Sequence, residues 1–289
     1  MSMQKKYPAR KLESKIMHEK KKYRTALSLA VSFFLAVFLC LLFLCLELAA
    51  GCFSEREFQK ALRSSSYGAE MEASVSQRIK ELFEAQELPT ALVDQVLGEK
   101  DLYVLFHNYS EMRSGKGQED FQGSFRTALD SYLQEAGIQQ TENIQNAIEI
   151  LAKEAGEICE RALYPGFVDK YYETAQAMKT NLAILAAAAF LLSAACVAAL
   201  LSMYHYKHRA VRYMAYSAIA ATAFNISGLI YLGSASVLQI SGVGPDYYQD
   251  FLEQYQAQAL APWYLVSGGG VVIAVLLLLL MKRLKHTIK

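Results

Sequence analysis

Residues 26–46 read ALSLAVSFFLAVFLCLLFLCL, 21 positions without a charge. At 1.5 Å per residue a helix of this length covers the roughly 30 Å of a bilayer's hydrocarbon, so the stretch predicts a membrane protein. Three more runs of the same kind follow at 182–203, 215–238 and 263–281. Composition agrees, since 53% of the 289 residues are hydrophobic, more than water-soluble chains ordinarily carry. Between the first two runs lies residues 54–179, which hold 22 acidic and 13 basic side chains. That length is enough to bury a core of its own.

Periodicity predicts that residues 54–179 are helical throughout. Ser54-Glu55-Arg56-Glu57 has a capping-box spacing, and Phe58, Ala61 and Leu62 follow it on one face. Met71, Val75, Ile79, Leu82 and Phe83 mark a second helix that ends at Leu88-Pro89. Leu92, Val93, Val96 and Leu97 give a short third, closed by Gly98. A fourth carries Leu102, Phe106 and Tyr109, and a fifth carries Phe121, Phe125 and Leu129, stopping at Gly137. The longest runs from Ile144 to Ala162 and breaks at Tyr164-Pro165-Gly166. A last one, with Tyr171 and Tyr172, leads straight into the second membrane run. No segment shows sustained period-two alternation, so the expected fold is all-α: four transmembrane helices plus an all-helical extracytoplasmic domain between the first and second.

The side of each segment follows from its charges. The first 24 residues hold nine Lys or Arg, the turn at 204–213 holds Lys207, Arg209 and Arg212, and the tail holds Lys282, Arg283, Lys285 and Lys289. The segment 241–261 has Asp246, Asp250 and Glu253 and no Lys or Arg. By the positive-inside rule both termini and the turn are cytoplasmic. The expected order is a basic cytoplasmic segment (1–25), transmembrane helix 1 (26–53), the extracytoplasmic helical domain (54–179) and transmembrane helix 2 (180–204). A cytoplasmic turn (205–213), transmembrane helix 3 (214–240), an acidic extracytoplasmic loop (241–261), transmembrane helix 4 (262–281) and a basic cytoplasmic tail (282–289) complete it. Pro262 is expected to open the fourth span, with Trp263 and Tyr264 at its outer aromatic belt. The basic N-terminus is expected to meet anionic lipid headgroups. Nucleic acid is not an expected partner, because nothing like interleaved stacking aromatics accompanies the charges.

No motif for chemistry survives inspection. Ser114-Gly115-Lys116-Gly117 lacks the first glycine and the hydroxyl residue of a phosphate loop. His205 and His208 lack a third metal ligand, and His107 has no nucleophile elbow beside it. Neither an enzyme nor a cofactor is expected. Leu48-Ala49-Ala50-Gly51-Cys52 is similar to a lipoprotein lipobox, but Glu47 interrupts the apolar run, so an uncleaved anchor is preferred. Glu47, at the far end of the first run, is expected to reach the interface. Of five cysteines, Cys52 and Cys159 are the pair available for a disulfide outside the membrane. The third run is the most polar, and Asn225 with Ser227 is the candidate contact inside the membrane. An interhelical hydrogen bond is the preferred reading and the lining of a solute path the other.

In layout the chain resembles the cell-division permease-like proteins that partner an ABC ATPase, by topology only, since their outer domain mixes strands with helices. Runs such as 206–213 (YKHRAVRY) and Glu87-Leu88-Pro89 also give it a style that resembles uncharacterised four-pass bacterial membrane proteins with a helical outer domain. Neither likeness implies an activity. The expected function is display of the outer domain for a partner or ligand, with a transporter or channel component as the alternative and an unrecognised membrane enzyme as the less favoured third.

Overall fold

The computed structural model describes residues 7–112, 119–139, 141–204, 206–234 and 245–286. Lys5, Lys6, the Ser114–Gly117 loop, His205, Ser236, the first four residues of the 241–261 segment and Lys289 lie outside the described residues. Ten α-helices and no strand occur among those described: α1 (Tyr7–Ala50), α2 (Glu55–Ser64), α3 (Tyr67–Glu84), α4 (Ala91–Lys100), α5 (Leu102–Met112), α6 (Phe121–Glu135), α7 (Glu142–Leu163), α8 (Gly166–Met203), α9 (Lys207–Ser234) and α10 (Asp246–His286). Four, α1, α8, α9 and α10, are long and apolar enough to cross a membrane, α9 being the least apolar. The chain forms two compact units. A span unit comprises Met1–Phe53, Met178–Ser236 and Ala259–Lys289, and a helical unit comprises Ser54–Ala177 and Val237–Gln258.

The helical unit contains a surprise at its second segment. Past Pro245, the described part of the expected loop is not a loop but the first four turns of α10. Tyr247, Phe251 and Tyr255 recur at helical spacing, and Phe251 is 2% exposed in the unit's core. Its ring meets Phe58 edge-on at 5.5 Å and Phe167 at 5.5 Å, while Tyr247 meets Tyr67 at 5.1 Å. Phe58 in turn stacks on Tyr171 at 3.8 Å. The Asp250 carboxylate accepts from the Ser66 backbone N–H (2.7 Å) and hydroxyl (2.9 Å). Ser66 is the N-cap of α3, so this acid meets the free amides and partial positive charge of that helix end. Pro262 therefore does not open a helix. It lies inside α10, where it removes the bond to the carbonyl four residues earlier and its ring crowds that carbonyl.

Elsewhere the unit follows its apolar stripes, with two local differences. Ser54 is the N-cap of α2, but its side chain makes no cap bond. The capping box does not form, and the Ser54 carbonyl instead accepts from Phe58 N–H (3.0 Å) and the Tyr171 hydroxyl (2.9 Å). α4 runs through Gly98 and ends at Asp101, left-handed at φ 35°. Asp tolerates that region better than most side chains, and its carboxylate also accepts from Val104 N–H at 3.0 Å. One residue thus ends α4 and starts α5. At the crossing of α6 and α7, a Cβ on Gly156 would stand 3.0 Å from the Gln122 backbone nitrogen. Gly156→Val is expected to cost about 1–3 kcal/mol by overpacking, read as a lower midpoint of denaturation for the helical unit.

The span unit is built on α1 lying along α9. The Ser32 hydroxyl donates to the Tyr213 carbonyl (3.1 Å) and lies 2.9 Å from the Ser217 hydroxyl. Ala210, Ala218 and Ala221 are buried beside them, which lets the two backbones approach. Leu35, Leu200 and Met214 pack with Ala210 and Tyr213 into a small cluster. On α8, Ala189 and Ser193 face inward, whereas Ala183, Ala187, Ala194 and Ala198 are exposed. Gly51 approaches the Ala259 carbonyl so closely that a Cβ would overlap it.

Candidate functional site

Glu47 is 0% exposed and belongs to the span unit. It does not reach outward from the end of α1. Its Oε1 accepts from Asn225 Nδ2 of α9, and the same amide has a long contact, 3.4 Å, with the Ser267 hydroxyl of α10. Asn225 (4% exposed) and Ser267 (5%) are buried as well. The expected intramembrane contact therefore splits in two. Asn225 joins three helices, while Ser227 is exposed and donates to its own helix at the Ala223 carbonyl (2.8 Å).

The register of α9 against α10 extends the polar strip. A Cβ on Gly270 would lie 2.6 Å from the Thr222 hydroxyl, so glycine there makes room for that side chain. Gly268 and Gly269 meet nothing within 4 Å, and the triple glycine is a packing contact at its last member alone. A Cβ on Gly228 would lie 3.7 Å from the Trp263 ring. Trp263, Ser267 and Gly270 are thus one face of α10, opposite Gly228, Asn225 and Thr222 of α9. Glu47 Oε2, Thr222 Oγ1 and Trp263 Nε1 are buried without a hydrogen-bond partner among the described residues. Buried polar atoms are nearly always paired, and these three are among five such atoms in the span unit, with Ser193 Oγ and His208 Nδ1.

The helical unit offers grooves and no catalytic constellation among the described residues. One groove of about 370 Å³ is apolar, lined by Leu82, Leu88, Leu133, Ile144, Ile148 and Ile150, with Gln86 and Glu154 also on its wall. Ile150 is 66% exposed. A wider groove of about 600 Å³ between α4 and α6 is polar, with Glu99, Lys100, Asp120 and Glu135 on its walls. His107 packs edge-on against Tyr103 at 4.5 Å. Burial, with Arg63 nearby, holds its imidazole below the usual histidine value. The Glu72 carboxyl is pushed up by burial and by Asp101.

Cys159 is a free, fully buried thiol on α7, and burial pushes it up to about 12. Cys52 is partly buried in the span unit. Because only the thiolate reacts, Cys159 should alkylate more than about a hundredfold more slowly in the folded protein than in denaturant. Mass spectrometry after a timed pulse of reagent checks this, and equal rates would show an open core. His208 Nδ1 is also buried without a partner among the described residues. No protein-family model, no curated protein and no solved structure matches this sequence.

Proposed function

We propose that the chain is a non-enzymatic, multi-pass protein of the cell membrane that displays its helical unit outside the cytoplasm to bind a protein partner. One observation carries the placement. Charge counting assigns residues 54–179 and 241–261 to the same side of the membrane, and residues from both segments share one core through Phe251, Tyr247 and the Asp250–Ser66 contact. Two stretches on opposite faces of a bilayer could not pack in this way. Both termini are then cytoplasmic, and the nine N-terminal basic residues sit against anionic headgroups at about 1 kcal/mol each.

The partner surface is the apolar groove of α3, α6 and α7. The unit around it carries a nine-charge acidic excess, 22 acidic against 13 basic over residues 54–179, and Glu154 lies on the groove itself. A leucine-rich helical segment flanked by Lys or Arg is the chemistry that fits both features. Fluorescent peptides with a leucine-rich face and either Lys or Glu flanks, added to the full chain in nanodiscs, test it. The Lys-flanked peptide is expected to bind at least about tenfold more tightly, and Ile150→Asp to remove that binding. Equal affinity for the two peptides, or binding unchanged in Ile150→Asp, would refute the groove assignment.

A second reading, a transporter or channel component, is favoured by the buried Glu47–Asn225 contact, because ionisable groups inside a membrane so often mark solute paths. Its test is flux in vesicles per folded protein. Asn225→Leu abolishes it if α9 lines a path, and leaves it unchanged if the contact is structural.

A further inference from the structure

The span unit has a groove that its own side chains leave unfilled. It measures about 530 Å³ between α1 and α9, lined by the small side chains of Ala26, Ala30 and Ala220 and the large ones of Leu29, Phe33 and Tyr216. Ser32 and Ser217 border it as well, but their hydroxyls bond to each other and to main-chain carbonyls. Phe33 is 65% exposed and Tyr216 54%, so the groove opens outward. On two helices long and apolar enough to cross a membrane, outward is hydrocarbon, where water does not fill the space.

Depth separates the occupants. The lining of α1 runs from Ala26 to Ala36, a rise of about 15 Å and so half of a bilayer's roughly 30 Å of hydrocarbon. A neighbouring transmembrane helix follows both leaflets; an acyl chain follows one. The charge at one end of the groove agrees. α1 and α9 run the same way, because Ser32 meets Ser217 and Glu47 meets Asn225. Arg212, five residues before Ser217, is therefore level with Leu27 and stands at the Ala26 end. Arg212, Tyr216 and Ala220 form one exposed stripe at four-residue spacing, and the Arg212 guanidinium lies 5.4 Å from the Tyr213 ring. Lys207 and Arg209 precede it, and the sequence holds no Asp or Glu between Glu19 and Glu47, between Glu173 and Asp246, or after Glu253. Positive charge with no carboxylate to answer it selects a headgroup of net negative charge. We infer that the groove between α1 and α9 binds one anionic phospholipid of the cytoplasmic leaflet, an acyl chain along residues 26–36 and the phosphate at Arg212. Only the choice of leaflet rests on the topology proposed above.

Native mass spectrometry of the full-length protein in detergent, with equal amounts of phosphatidylglycerol and phosphatidylcholine of the same chains, tests the site. The wild type is expected to keep one phosphatidylglycerol, at least about tenfold in preference to phosphatidylcholine. Arg212→Gln should bring that preference close to one. Ala30→Leu fills the groove at an exposed position and leaves every charge in place, and it should cut retention of the lipid at least about tenfold. Ala220→Leu makes the same test from α9 if Ala30→Leu does not fold. A wild type that keeps no lipid, or keeps the two equally, would overturn the inference. So would retention unchanged when the groove is filled, which would mean that basic surface charge alone holds the lipid. A lipid-free dimer that Ala30→Leu separates would overturn it in favour of a second copy of the chain. Detergent has no sides, so none of these failures bears on where the helical unit is displayed.

Discussion

Replacing Asn225 by leucine is expected to destabilise the span unit by about 2–4 kcal/mol, because a buried carboxyl loses its donor. Glu47 Oε1 would join Oε2 in having no partner, and Ser267 would lose its contact with the amide. In a chain of this size the loss corresponds to a fall of roughly 5–15 °C in the melting temperature of the full-length protein in detergent. Two controls make the result specific. Ser227→Ala, two residues away but exposed and bonded to its own helix, should change the midpoint by less than about 0.5 kcal/mol. Pairing Asn225→Leu with Glu47→Leu should recover most of the loss, since removing both partners leaves no stranded charge. A double variant no more stable than Asn225→Leu alone would show that the two side chains do not depend on each other.

Phe251→Ala is expected to cost the helical unit about 3–5 kcal/mol, the ordinary effect of emptying a buried aromatic site. The ring is 2% exposed among Phe58, Tyr67, Phe167 and Tyr255. Its loss should therefore be felt by residues nearly 200 positions earlier in the chain. Hydrogen exchange in α2 and α3 would accelerate, and the Cys159 thiol would become reactive at lower denaturant. Residues 54–179 produced alone should show the same weakness, with Phe58 and Tyr67 uncovered. Joining residues 245–258 to them through a flexible linker should restore a cooperative transition. An isolated 54–179 fragment as stable as the linked one would mean that the second segment adds nothing to the core.

Much of this architecture was legible in the sequence. The spans are long uncharged runs, and α8 was expected to continue from the helical unit because no breaker follows Gly166. The segment after residue 241 was misread for a physical reason. Its acids, tyrosines and missing Lys or Arg suggested a loop, and Pro262 looked like a start signal. Yet Tyr247, Phe251 and Tyr255, with Tyr248 and Leu252, already had the helical spacing that marks a buried face. Gly98 misled similarly: glycine is the commonest helix terminator, but Asp101 could take the left-handed position and cap the next helix at once. Glu47 was hardest to read. Its place near the end of an apolar run suggested a group reaching water, and the partner that keeps it inside is 178 residues away. Periodicity assigns a residue to a face; it does not say which face lies opposite. Asn225 and Ser227 show the same limit, since two residues apart on a helix point in different directions.

The central claim is that residues 54–177 and 237–258 form one body outside the cytoplasm, and the Ser66–Asp250 contact gives it the most direct test. Ser66→Cys and Asp250→Cys together, with Cys52→Ser, place two thiols where the Ser66 hydroxyl and an Asp250 carboxylate oxygen now meet at 2.9 Å, within reach of a disulfide. In native membranes, mild oxidation should link the two positions, detected by gel shift after cleavage of the chain between them. A membrane-impermeant alkylating reagent added beforehand to intact cells should prevent the link. Failure to form it, or protection only after the cells are opened, would contradict the account.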